Sequence, residues 1–353
     1  MPRPIHAHIN LDALKNNLRI ARRLANSRIM AVIKANAYGH GLLRVAEALE
    51  EAEGIALLDV HDAAHLREAG CRQTILLLEG FFSPDDLRLI AEYDLATVIH
   101  NAQQLAGLDA YPRRGKLQVW LKVNTGMNRL GFRPEEIPAV MERLKSHPAV
   151  REVTLMTHFS HADEAEGVAE QLEHFNAIAA AYPAPRSLAN SAALLRYPST
   201  HGDWVRPGIM LYGASPFAGT SAQQFGLKPV MTLSSELISV REIKAGESVG
   251  YAGLFRAESR NRIGVVACGY ADGYPRHAPT GTPILVNGQR TRTLGRVSMD
   301  MLTVDLNNIL EAQVGSRVVL WGEGLPVEEV AQAAGTISYE LLCAITARVP
   351  VGY

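Results

Sequence analysis

The stretch RIMAVIKANAYGHGLLRVAEALEEAEGIALLDV, residues 28–60, decides the fold. It reads as strand, helix, strand. Ile29, Met30, Ala31, Val32 and Ile33 form an unbroken apolar run, as in a strand covered on both faces. Leu42, Val45, Ala46 and Leu49 then recur at helical spacing. A second apolar run, GIALLDV, follows. Two strands joined by a helix form the repeating unit of parallel α/β folds.

Working outward, the unit repeats. HDAAHLREAG ends on Gly70, a helix stop. TILLLEG leads to SPDDLRLIAEY, where Ser83 suits an N-cap and Pro84 the first helical position. LATVIH, KLQVWLKVN, VTLMTHFS, RSLANS and WVRPGIMLYG complete eight strand-like runs. In the helix after VTLMTHFS, Val168, Leu172, Phe175 and Ala179 share a face. Eight strands with helical crossovers predict a (β/α)8 barrel over residues 8–222. From residue 223 to 353 the text turns to short Val-, Thr- and Ile-rich runs. Asn287-Gly288 between two of them is a hairpin signal. A mainly β second domain is expected there.

Composition excludes several classes. The 353 residues are 47% apolar and 20% charged, with a formal net charge of -1. Such balance gives no electrostatic reason to bind nucleic acid or a membrane surface. No apolar stretch has the length of a membrane span. MPRPIHAHINLD lacks the apolar core of a signal peptide, so a cytoplasmic location is expected. Cys71, Cys268 and Cys343 have no metal-like spacing, and no metal site is expected.

Chemistry in such a barrel gathers at the C-terminal ends of the strands. Lys34 reads as the last residue of the first strand, with Asn36–Gly41 as the loop after it. A lysine amine there can attack an aldehyde to form a Schiff base; a solvated lysine fits this stretch equally well. The loops after strands seven and eight are the usual phosphate site, and here carry Asn190-Ser191 and Arg206-Pro207-Gly208-Ile209. Alone, Ser191 suits an N-cap and Gly208 a turn. Together, a Schiff-base lysine and a phosphate site suggest pyridoxal phosphate. In KLQVWLKVN, alternation puts the aliphatic Leu117, Val119, Leu121 and Val123 toward the helices and Lys122 into the barrel. A buried ammonium needs an anion, such as a carboxylate from elsewhere in the chain.

AVIKANAYGHG resembles the cofactor-lysine signature of bacterial alanine racemases. LKVNTGMNRLGF, THFSHAD, NSAA, RPGIMLYG, VGYAGLF, GYADGY and GRVSMD extend the resemblance in order from INLDALKNNL to ISYELLCAIT. It implies a barrel with a β domain joined by the N-terminal strand, residues 1–7, and a homodimer whose active sites are completed by the partner chain. Lys34 would hold pyridoxal phosphate covalently and act as one base; Tyr251 would be the second. His158 and Arg206 would give Tyr251 a positive, hydrogen-bonded environment, with Arg206 also facing the cofactor ring. Tyr38, Asn190, Ser191, Gly208, Ile209 and Tyr339 would bind the phosphate region. Arg129 would bond the cofactor's phenolic oxygen and, with the Met299 N–H, the substrate carboxylate. Tyr270, Arg276, Arg296 and Asp300 would line the entrance. Lys122 would carry a carbamate paired with Arg129. The implied reaction is interconversion of L- and D-alanine, for peptidoglycan or for alanine catabolism; a broader amino-acid racemase acting on serine and others is the alternative. The β domain and Tyr251 argue against a vitamin B6 carrier, and the ANAYGHG loop against a basic amino-acid decarboxylase.

Overall fold

The computed structural model describes residues 3–111 and 117–353. Met1 and Pro2 of the expected N-terminal strand lie outside the described residues, as does Lys116 at the head of the fifth barrel run. The chain divides into two compact units: Asn17–Ala37 with Gly41–Leu211, and Met1–Asn16, Tyr38–His40 and Tyr212–Tyr353.

After β1 (His6–Ile9), eight strands follow: β2 (Arg28–Val32), β3 (Gly54–Leu57), β4 (Thr74–Leu77), β5 (Ala96–Ile99), β6 (Leu117–Lys122), β7 (Val150–Met156), β8 (Arg186–Ser187) and β9 (Trp204–Val205). All neighbours pair in parallel, and β9 pairs back onto β2, so these strands close a barrel. The helices between them begin where their caps predict. Ser83 and Asp86 form a capping box under Pro84, and Asn101 caps the helix Ala102–Asp109.

The interior can be assigned from one contact. Trp120 of β6 meets Trp204 of β9 at 5.6 Å between ring centroids. These strands are not neighbours, so the contact must pass through the barrel. Trp120 therefore points inward. Lys122, two residues on, shares its face, and it is buried.

The second unit is mainly antiparallel. Its strands are β1, β10 (Met231–Ile243), β11 (Ser248–Val249), β12 (Phe255–Arg256), β13 (Asn261–Val266), β14 (Pro283–Val286), β15 (Gln289–Leu294), β16 (Leu302–Asp305), β17 (Arg317–Trp321) and β18 (Val351–Gly352). β10 pairs with both β13 and β17, which closes β10, β13, β16, β15, β14 and β17 into a ring. β1 and β18 extend the sheet from β10. The β14–β15 turn is Asn287-Gly288, both at positive φ, as a tight hairpin requires.

Two sequence expectations need correction. Strand β2 ends at Val32, not at Lys34; only the Ile33 N–H extends the ladder, to Ala56 O at 2.8 Å. In the helix Ala169–Ala179 the inward stripe is Val168, Gln171, Phe175 and Ala179, with Leu172 only half-buried. The apolar residue was the natural choice for a buried face, but a polar one occupies it.

Candidate active site

The segment after β2 is not an ordinary loop. Ala35, Asn36 and Ala37 have φ/ψ of 54/53, 51/45 and 55/52, and Tyr38 has φ 52. Four consecutive residues thus wind a left-handed helical turn directly after Lys34. Left-handed helix costs L-residues about 1–2 kcal/mol each, so the turn stores roughly 4–8 kcal/mol. Only Asn36 belongs to a type that tolerates this region well. Local bonds hold it: Ala37 N–H donates to Ile33 O at 2.9 Å, Gly41 N–H to Asn36 O at 3.0 Å, and Leu42 N–H to Asn36 Oδ1 at 2.8 Å. Strain of this size beside a chemically active side chain is a mark of a functional site.

Lys34 belongs to a cluster of cations at the C-terminal ends of the barrel strands. Burial first, then the charges of Arg206, Arg129 and Lys34, push the Lys122 ammonium down to about 8, and Glu79 opposes them. Lys122, Arg129 and His158 line one small cavity of ≈ 10 Å³ with Thr125 and Thr157. Arg206 is buried, and burial lowers it to about 10, so it stays charged at neutral pH. It donates to Ser187 Oγ at 2.6 Å, Thr157 O at 2.7 Å, Leu188 O at 3.1 Å and His158 Nδ1 at 3.4 Å. A guanidinium only donates, so Nδ1 must be the acceptor and the His158 proton lies on Nε2. Burial, followed by Arg206, Lys122, Arg129 and Lys34, holds His158 well below its ordinary value. The positive charge expected of the His158–Arg206 pair therefore resides on Arg206 alone, and His158 is a neutral, oriented ring.

Asn190 caps the helix Ser191–Arg196 by accepting from Ala193 N–H at 2.9 Å. Ser191 Oγ accepts from Gly208 N–H at 2.8 Å and Met210 N–H at 3.4 Å. That commits the Gly208 amide to Ser191 and leaves the single Ser191 hydroxyl proton outside these two bonds. Ile209 is buried beside it in the chain.

In the second unit Tyr38 stacks on Tyr212 at 4.6 Å and meets Tyr339 at 6.1 Å. Burial, then Tyr339 and Cys343, pushes the Tyr38 phenol up, so it remains a hydroxyl donor. Gly39 is obligatory: at φ +80 a Cβ would lie 2.3 Å from Leu342 O. Tyr270 N–H donates to Ser298 O at 3.0 Å and Ala271 N–H to Met299 O at 2.9 Å, which brings Tyr270, Met299 and Asp300 together. Asp272, fully buried, takes Arg3 at 2.7 Å and Arg348 at 2.9 Å, and Arg348 also pairs Asp300 at 2.7 Å. Sequence reasoning passed over Asp272 although it stands inside GYADGY. Arg276 is exposed on the loop after Tyr274, apart from these bonds. The Arg296 backbone runs beside Gly250, and the next residue, Tyr251, is 69% exposed.

Residues 9–216 match the alanine racemase N-terminal domain, and residues 230–353 the alanine racemase C-terminal domain. The chain belongs to the alanine racemase family. It is similar to the alanine racemases of Nitrosospira multiformis, 62% identical over 99% of both chains, and Nitrosomonas europaea, 58% identical over 99% of this chain and 98% of the relative. Among solved structures it resembles the biosynthetic alanine racemase of Pseudomonas aeruginosa, with a TM-score of 0.97, 50% identity and 99% of each chain covered. It also resembles the alanine racemase of a D-cycloserine-producing Streptomyces lavendulae, with a TM-score of 0.90, 35% identity, and 100% and 97% covered. The family carries the (β/α)8 barrel and the mainly β domain that the strand pattern predicts and the structure shows. Among the described residues no helix is long and apolar enough to cross a membrane, and no group of His, Cys, Asp and Glu could hold a metal ion.

Proposed function

We propose that the chain is a cytoplasmic homodimer that interconverts L- and D-alanine with pyridoxal phosphate. The observation that carries this is the gathering of Lys34, Lys122, Arg129 and Arg206 at one end of the barrel, where the charges of the other three outweigh Glu79 at Lys122. So much positive charge fits a ligand bearing a phosphate and a phenolate. A primary amine within that cluster fits the ligand's aldehyde, and the Ser191 O–H fits its phosphate.

Lys34 would hold the cofactor, with Tyr38, Tyr339, Asn190, Ser191, Gly208 and Ile209 around its phosphate region, Arg129 at its phenolic oxygen and Arg206 at its ring. When bound, the cofactor supplies an electron sink for the charge left on Cα. The chain's residues do the rest. The Lys34 amine takes or returns the Cα proton on one face. The Tyr251 phenol, supplied to the site of a second copy of the chain, does the same on the other. Two such groups suit racemisation, because a base fixed on one face returns the proton to the face it came from. Arg206 keeps its protons and so opposes charge build-up at the ring nitrogen. Arg129 and the Met299 N–H hold the substrate carboxylate; Tyr270, Arg276, Arg296 and Asp300 screen the approach. Neutral His158 fixes Arg206 and leaves its Nε2–H to orient a phenolate.

The test is chiral analysis of purified enzyme with cofactor over a panel of L-amino acids. Alanine should racemise fastest. No racemisation of alanine, or carbon dioxide release in its place, overturns the reading; equal rates for serine and larger residues favour a broad-specificity racemase.

A further inference from the structure

Gln171 is a polar residue on the buried stripe of the helix Ala169–Ala179, and its side chain is fully engaged. Ser160 donates to Oε1 twice, from its N–H at 2.8 Å and its Oγ at 2.9 Å. A backbone N–H can only donate, so Oε1 is the oxygen and the amide's orientation is fixed. On the other side Nε2 donates to Thr125 Oγ1 at 3.1 Å and His158 O at 3.2 Å.

The hydroxyl protons can be placed by elimination. Thr157 Oγ1 lies 3.0 Å from Val123 O, a pure acceptor, so the single Thr157 proton goes there. Thr125 Oγ1 lies 2.7 Å from Thr157 Oγ1 and must therefore be the donor in that bond. Thr125 in turn accepts from Gln171. A one-way chain results: Gln171 N–H, Thr125 O–H, Thr157 O–H, Val123 C=O. Both threonines are buried and both line the cavity of Lys122, Arg129 and His158. The Thr157 carbonyl is the 2.7 Å acceptor of Arg206.

We propose that Gln171 is a positioning residue for racemisation: through Thr125, Thr157 and the 158–160 backbone it sets the relative placement of the β6 loop bearing Arg129 and the β7 end bearing His158 and Arg206's carbonyl anchor. This rests on the functional reading above, which gives those three residues their work. No other group could replace Gln171 without loss. An aliphatic residue leaves the Ser160 N–H and Thr125 Oγ1 short of partners, and a carboxylate sets an acceptor against the His158 carbonyl. A displacement near 1 Å in the residues it aligns is enough to cost about 100-fold in rate.

The experiment compares holoenzymes of wild type, Gln171→Leu, Gln171→Glu and Thr125→Val. Thermal stability, the cofactor absorption spectrum, KM, kcat and the Cα-deuterium isotope effect on kcat are measured for each. Gln171→Leu should lower kcat/KM about 10–100-fold at a temperature where it is fully folded. The isotope effect should rise as proton transfer becomes slower, and the absorption band should shift as Arg206 and Arg129 move. Gln171→Glu keeps the Ser160 half of the contact and should fall between. Thr125→Val should reproduce the Gln171→Leu defect, and the double variant should be no worse than the single ones, since both break one chain. If Gln171→Leu does not fold, Thr125→Val and Gln171→Glu carry the test alone. Lower thermal stability with unchanged kcat/KM, isotope effect and spectrum overturns the proposal, because a purely structural glutamine gives that pattern. So does additive loss in the double variant. Failure of the functional reading looks different: wild type itself would not racemise alanine.

Discussion

The two candidate bases stand on opposite kinds of ground. Lys34 is half-buried among cations, fixed by a left-handed turn bonded to its own barrel. Tyr251 is 69% exposed on a short turn between Gly250 at φ +69 and Ala252 at φ +63. Both are flanked by backbone in the left-handed region, so both are aimed by strain. What differs is the surroundings: Lys34 lies near Lys122, Arg129 and Arg206, whereas Tyr251 faces solvent. That contrast fits the proposal that Tyr251 serves the site of a second copy.

The largest effect should come from the buried side of the comparison. Lys34→Ala should cut racemisation by about 10⁴-fold or more, because both the covalent anchor and one base go. Borohydride should fix cofactor to wild type at Lys34 and leave the variant unlabelled; a labelled variant would move the anchor elsewhere.

The exposed side is tested by mixing. Lys34→Ala and Tyr251→Phe chains should each be inactive alone. In a mixed dimer with shared sites, one site carries both defects and the other none, so a statistical mixture should recover about a quarter of wild-type activity. With subunit exchange confirmed by mass, no recovery would mean that both bases come from one chain.

How much of this contrast was legible in the sequence depends on the physics of each part. Eight apolar runs with helical spacers read as a barrel because two-sided burial leaves no polar alternation to misread. The inward face of β6 was equally legible, since a strand alternates with period two. The left-handed turn was not. ANAY contains no glycine, and its conformation follows from bonds to Ile33, Gly41 and Leu42, which no local propensity encodes. Gln171 was missed for a related reason. Hydrophobicity chose Leu172 for the buried face, while the burial of Gln171 is explained by partners 11 to 46 residues away.

Lys122 sharpens the comparison within the barrel. Its folded value of about 8 against 10.5 is a depressed cation. The ammonium form is therefore disfavoured by folding, by roughly 3 kcal/mol. An unmodified chain should gain stability as pH rises from about 8 to 10.5 and carry the full penalty below about 8. The neutral amine that burial favours can add carbon dioxide, forming an N–C bond and releasing one proton, and the resulting carbamate would turn the cation into a partner for the Arg129 fork. Lys122→Ala should bind cofactor but lose about 10–100-fold in kcat as Arg129 loosens. Labelled bicarbonate should give a carbamate carbon-13 signal that disappears in the variant. A bare ammonium in fully active enzyme under carbon dioxide would remove the modification from the account.

The smallest effect tests the strain that both bases share. Ala35 and Ala252 are exposed, and both hold positive φ. Glycine at either position removes a left-handed penalty of about 1–2 kcal/mol. It also adds about 0.4–1 kcal/mol of unfolded-chain entropy to be lost on folding. The difference predicts a net gain near 0.5–1 kcal/mol for each, or about 1–2 °C in the melting temperature of a chain this long. Activity should move the other way, because glycine also frees the backbone that aims the neighbouring base. Ala35→Gly should lose less than Ala252→Gly, since the hydrogen bonds of Asn36 and Ala37 still hold the turn beside Lys34. The reverse order, with Ala35→Gly the more damaged, would mean that strain at Ala35 rather than those bonds places the lysine.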